Sequence, residues 1–244
     1  MKARAPFIHR PSGLAVPAHV AMDMVTYEGA HCHQFDVNGK DAIPDVETVA
    51  KMIEELALKN DGSEAYLAYF TLQEAMASVR RKAYGVASTL AKDNPAAPWD
   101  IIAVGQNHRT RGDPREYMGH AETCMVQDAT PYRQKNGPDG LAAFVNLCPC
   151  PGCMGPLIDA HIKTVLIGTV DPRVGAAFAR TEEQKEWAWG VARMQVVEKM
   201  KLVYRAPNIA DNHLRARIHL LCWDVFHATR GEVHKREHGS ALKE

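Results

Sequence analysis

AAFVNLCPCPGCMGPLIDAHIKTVLIGTVD, residues 142–171, decides how this chain is to be read. AAFVNL (142–147), apolar except for Asn146, reads as a buried strand, and KTVLIGTVD (163–171) reads as another, rich in β-branched residues. Between them, CPGCMGPLIDAHI (150–162) reads as a helix, with Pro149 and Pro151 near its first turn, where a missing N–H costs nothing. Cys148, Cys150 and Cys153 fall within six residues here, in a chain that holds only three other cysteines.

Outward from this stretch the alternation continues. SEAYLAYFTLQEAMASVRRKAY (63–84) combines a capping Ser63 with strong helix formers and a stop at Gly85. VASTLA (86–91) and DIIAVG (100–105) are short strands around the Pro-containing turn DNPAAPW, and HAETCMVQDA (120–129) starts a helix. Strands alternating with helices argue for a layered α/β sheet. Residues 1–62 form an amino-terminal extension. In it, IPDVETVAKMIEELALKNDG carries Val46, Val49, Ile53 and Leu56 at helical period, capped by Asp45 and ended at Asn60 and Gly62, while VTYEGAHCHQFDVNGK suggests extended structure with an Asn38-Gly39 turn. Residues 179–244 form a carboxy-terminal segment with helical patterns over 181–200 and 211–231, followed by a loose polar tail, EVHKREHGSALKE.

Composition limits the function classes. With 244 residues and 46% apolar content the chain buries a full core without disulfides. No segment approaches the roughly 20 apolar residues of a membrane span, so a cytoplasmic location and no membrane partner are expected. In a reducing compartment clustered cysteines point to metal or redox chemistry before disulfides. Lys+Arg and Asp+Glu both number 29, a balance that speaks against a polyanionic partner such as nucleic acid.

Cys150 and Cys153 have the spacing of a metal-binding thiolate pair, and residues three apart at a helix start share a face. Upstream lie His120 and Glu122, giving H-x-E, twenty-six intervening residues, then P-C-x-x-C. This pattern resembles the signature of zinc deaminases that act on nucleobases. Two Cys and one His fill three positions of a tetrahedral zinc and leave the fourth for water, whose pKa falls from about 16 to about 7 on the metal. The activated water adds to the amino-bearing carbon and ammonia leaves. Glu122 is not a ligand; it carries protons as general base and then acid.

The resemblance is wider than the signature. CPCPGCMGPLIDAHIKTVLIGTVDPRVGA (148–176) and IIAVGQNHRTRGDPREYMGHAE (101–122) resemble the tRNA adenosine deaminase and guanine deaminase branch of the cytidine deaminase-like superfamily, and the likeness covers roughly residues 66–178. It implies a three-layer α/β/α fold with a mixed five-stranded sheet, a deaminase core over 63–178 and assembly as a homodimer. It also implies zinc held by His120, Cys150 and Cys153, Glu122 as proton shuttle, and Asn107, Ala121 and Pro149 as substrate contacts. The implied substrate is a small aminated heterocycle such as a nucleobase, a nucleoside or a related pterin or triazine ring. An adenosine or cytidine within nucleic acid is the alternative. DNPAAPW is longer than that branch's usual hairpin, Cys148 replaces an acidic or small residue, and Gly152 replaces a larger one, all of which affect the pocket wall more than the metal.

Other readings stay open at this level. Cys150 and Cys153 suit a thioredoxin-like redox pair, and Cys124, four residues after His120, suits a fourth ligand of a closed, non-catalytic zinc module. Cys124 and Cys148 are otherwise a small buried residue and a bystander at a strand end. Asn107 equally suits a turn at a strand end. His31 and His33 share a strand face that Cys32 does not, a weak metal signal. His108, Arg109 and Arg111 read as solvated loop groups, Trp187, Trp189 and Trp223 as core or dimer contacts, and His219 and His227 carry no role.

Overall fold

The computed structural model describes residues 45–92, 98–108, 119–169 and 203–238. The expected turn at Asn38-Gly39, the His31, Cys32 and His33 group, Arg109, Arg111 and the helical pattern over 181–200 with Trp187 and Trp189 lie outside these residues.

Local chemistry sets each helix start. Helix α1 (Val46–Glu54) begins where the Asp45 carboxylate accepts from Thr48 N at 2.9 Å, and its Val49, Ala50 and Ile53 are buried. Those positions recur at helical spacing, so one face of α1 docks while the other stays wet. The sequence pattern extends this helix to Asn60, yet it stops at Glu54, and Ala57 turns the chain away with φ 44°. Asn60 has another use: its side chain accepts from Trp99 N at 2.8 Å and donates to Trp99 O at 2.9 Å. Helix α2 (Glu64–Arg80) follows a cap at Ser63, whose Oγ accepts from Tyr66 N at 3.2 Å.

Strands β1 (Ala87–Lys92) and β2 (Asp100–Gln106) pair antiparallel. Next come helices α3 (Ala121–Asp128) and α4 (Thr130–Asn136), then β3 (Leu141–Leu147), helix α5 (Pro151–Asp159) and β4 (Thr164–Thr169). A three-residue strand β5 (Val203–Arg205) and the long helix α6 (Asn212–His238) complete the described elements. The sheet order is β2-β1-β3-β4-β5. Strand β1 runs antiparallel to both neighbours, whereas β3, β4 and β5 are parallel to one another, so the sheet is mixed. Four strands of six or seven residues make its body, and β5 lies against the outer edge of β4.

Strand alternation separates two apolar layers. Ala87, Ala91, Phe144 and Leu166 face α1, α2 and the buried Ile218, Leu221, Cys222 and Val225 of α6. Leu90, Val145, Val165 and Ile167 face Met125 of α3 and Leu157 of α5. Helices therefore cover both faces in a three-layer α/β/α arrangement, as expected from the sequence. Trp223, at 7% exposure, belongs to the core.

Two further elements differ from the sequence expectation. Helix α4 appears where no element is expected, starting with Pro131 in its first turn and ending at Gly137, φ 76°. Helix α6 continues through Gly231 to His238, so seven residues of the expected loose tail are helical. EVHKREH is composed of residues that sustain a helix once it has started, and one glycine costs only about 1 kcal/mol within it.

Candidate metal centre

The ends of β1, β2 and β3 meet at one edge of the sheet, because Ala87 pairs with Gln106 and Ser88 with Val145. Strand β3 leads through Cys148 and Pro149 into α5, and the chain after β2 leads into α3, so both helices begin at this edge. The base of the loop between β2 and α3 is closed by His108 N donating to Gly119 O at 2.8 Å. Helix α3 then lies directly on β2. A Cβ at Gly105 would stand 1.8 Å from Ala121 O and 2.4 Å from Met125 N, so only glycine admits this approach.

His120 is the N-cap residue of α3 and Cys150 that of α5, both with extended backbone and neither using its side chain as a cap. The Cys150 carbonyl accepts from Cys153 N at 3.0 Å and Met154 N at 3.2 Å, which closes the first turn and turns both thiols to one side. Cys153 Sγ lies 3.3 Å from His120 Nδ1 and 3.3 Å from Cys150 Sγ, and Cys150 Sγ lies 3.6 Å from His120 Nδ1. Among the described residues these three ligand atoms, all within 4.8 Å of one another, are the group placed to hold a metal ion. Cys124 is not part of it, although the sequence spacing allowed that.

The electrostatics suit a cation. The Cys150 thiol is lowered to about 4, chiefly because the Cys153 S–H donates to its thiolate, with His120 adding to the effect against burial. Cys153, holding the shared proton, is pushed well up by that bond and by burial. Helix amino termini favour the same negative charge. Glu122, at 3% exposure, is raised to about 7, first by burial and then by the Cys150 thiolate. An imidazole and two thiols, one of them held well below the usual thiol range, are a donor set that fits zinc.

The remaining sequence candidates gather at the same edge. Asn107, at 4% exposure, follows β2 and donates its backbone N–H to Val86 O at 2.9 Å. Ala121 is fully buried between His120 and Glu122, and Pro149 is buried between Cys148 and Cys150. Cys148 is buried and donates its backbone N–H to Thr169 O at 2.8 Å, a structural use at the strand end. Sequence reasoning passed over Asn146, whose fully buried side chain accepts from Ala87 N at 2.8 Å and donates to Gly85 O at 2.9 Å. An amide inside an otherwise apolar strand was its only signal.

This chain is similar in part to several known proteins. A curated relative, the tRNA-specific adenosine deaminase of Bacillus subtilis (strain 168), is 26% identical over 74 residues, which is 30% of this chain and 46% of that protein. The chain thus spans about half the length of the curated relative it matches. Similar solved structures include a guanine deaminase from Nitrosomonas europaea, at 15% identity and TM-score 0.47 over 66% of this chain and 83% of that one. A tRNA:A34 deaminase structure is 24% identical with TM-score 0.41, over 47% of this chain and 82% of the other. The profile of the MafB19-like deaminases matches residues 70–217, well over half of the 244, and includes His120, Glu122, Cys150 and Cys153. The chain belongs to the MafB19-like deaminase family, within the cytidine deaminase-like superfamily.

Proposed function

We propose that this protein is a zinc-dependent hydrolytic deaminase of a small aminated heterocycle. The observation that carries the reading is the convergence of His120 Nδ1, Cys150 Sγ and Cys153 Sγ beside the buried carboxyl of Glu122. When bound, zinc supplies a Lewis acid that brings the pKa of coordinated water to about 7. His120, Cys150 and Cys153 hold it. Glu122 accepts one proton from the attacking water and passes it to the ring nitrogen, then takes the second proton from the newly added hydroxyl and delivers it to the departing amine. Its raised pKa, close to neutrality, suits a group that must both take and give a proton. Asn107, Ala121 and Pro149 contact the ring at the sheet edge. In this reading residues 63–178 are the deaminase core, with 1–62 and 179–244 appended, and the protein works as a cytoplasmic homodimer.

The test is an ammonia-release screen over guanine, cytosine, adenine, their nucleosides and aminopterins. At least one should react, and Glu122→Gln should lower that rate by about 10²–10⁴ while zinc stays bound. A Gln variant with unchanged turnover contradicts the assignment. The partial likeness to a tRNA-specific enzyme favours one other reading, a base within RNA. That reading requires turnover of oligonucleotides, and binding that weakens steeply with salt, from a chain of zero net charge.

A further inference from the structure

We propose that Phe226, near the middle of α6, is a positioning residue that seats the metal-binding turn of α3; the inference rests on the zinc reading above. Five buried apolar residues of α6 are shared between two clusters. Ile218, Leu221, Cys222 and Val225 pack with α1 and α2 in the main core. Phe226 alone belongs to a small separate cluster with Val86, Ala121 and Leu147, against which Tyr84 also packs.

Each partner in that cluster lies within a few residues of the site or is bonded to a residue beside it. Ala121 lies between His120 and Glu122, Leu147 directly precedes Cys148, and the Val86 carbonyl receives the backbone N–H of Asn107 at 2.9 Å. Phe226 is itself braced. Tyr84 stacks on it with ring centroids 6.2 Å apart at 27°, and His227 meets it edge-on at 4.9 Å. Beneath it the backbone is fixed: a Cβ at Gly85 would stand 2.0 Å from Val225 O, and Asn146 holds Gly85 O and Ala87 N on either side of Val86. A close-packed interior transmits displacement. Loss of the Phe226 ring opens a void in the cluster that holds Ala121, and His120 and Glu122 flank Ala121. Phe226 lies beyond residue 217, where the family match ends, so this support comes from outside the matched region.

The experiment measures zinc affinity of the full chain by competition with a chromophoric chelator, for wild type, Phe226→Leu, Phe226→Val, Phe226→Ala and Ile218→Ala. Supporting groups around a metal site typically change its affinity by about 10–100-fold. Affinity should fall in the order Leu, Val, Ala, reaching about tenfold or more for Ala, and the Val variant carries the test if the Ala variant does not fold. Ile218→Ala removes an equally buried α6 side chain from the main core, and should lower thermal stability while leaving zinc affinity at the wild-type value. Phe226 variants that hold zinc as tightly as wild type, or an Ile218 variant that loosens it equally, overturn the inference. A wild-type chain that binds no zinc overturns the underlying reading instead, and that arm is read first.

Discussion

Replacing Gly105 by alanine tests whether the placement of α3 on β2 sets the site. The new Cβ would stand 1.8 Å from Ala121 O and 2.4 Å from Met125 N, both backbone atoms of the first turn of α3. Non-bonded carbons settle near 3.5–4.0 Å, so relief of the clash requires α3 to withdraw by roughly 1.5 Å. No side-chain rotation can substitute for that, because the obstructing atoms are main chain. His120 and Glu122 move with the turn, whereas Cys150 and Cys153 on α5 have no reason to follow. Overpacking of this kind costs about 1–3 kcal/mol of stability, and a misplacement of about 1 Å at a catalytic group costs about 10²-fold in rate. Urea denaturation gives the first quantity. Cobalt substitution reports the misplacement itself without knowledge of the substrate, since its visible bands depend on the thiolate–imidazole geometry. Weakened, spectrally altered cobalt binding is expected in Gly105→Ala. A variant with wild-type denaturation midpoint and wild-type cobalt spectrum would refute the reasoning.

Other substitutions probe the frame. Asn146→Ala strands two buried backbone groups, Ala87 N and Gly85 O, and should destabilise by about 2–4 kcal/mol in urea titrations; a change under about 1 kcal/mol would show that the clamp is dispensable. Ser88 Oγ is fully buried with no hydrogen-bond partner among the described residues, so Ser88→Ala should be neutral or stabilising by about 1 kcal/mol, and clear destabilisation would reveal a partner for that hydroxyl. His219 has its pKa lowered from 6.5, mainly by burial, against the bond its Nδ1–H donates to Gly168 O at 2.9 Å. The unfolded chain takes up this proton near pH 6.5 and the folded chain does not, so the stabilising effect is complete above that pH and declines as pH falls below it. His219→Asn keeps a donor and cannot titrate; its stability should fall less than that of wild type between pH 7.5 and 5, and parallel curves would contradict the assignment.

Part of the candidate metal centre was legible in the sequence: Cys150 and Cys153 lie three apart at a helix start, a spacing that puts both thiols on one face. His120 and Glu122 were singled out by the resemblance to zinc deaminases and not by spacing. The strands were equally plain, since β3 and β4 are buried along nearly their whole lengths. What was not legible is long-range. The apolar period of α1 announced a helix, but nothing local placed that helix in one core with α2 and α6. Its end was misjudged because Leu56 continues the apolar period beyond Glu54, where the helix stops just before Ala57 turns the chain. Phe226 and Asn146 are ordinary residues by type, and their importance comes from neighbours more than fifty residues away. Cys124 shows the converse: its spacing from His120 suited a ligand, and the fold leaves it outside the cluster.

The central claim is that one imidazole and two thiolates bind zinc and leave a coordination position for solvent. X-ray absorption at the zinc edge of the purified protein tests this directly, together with metal analysis. The account predicts about one zinc per chain, with two sulfur and two nitrogen or oxygen scatterers. It further predicts loss of a sulfur scatterer in Cys153→Ser and no change in Cys124→Ser. A third sulfur that disappears in Cys124→Ser, or no bound zinc at all, would contradict it.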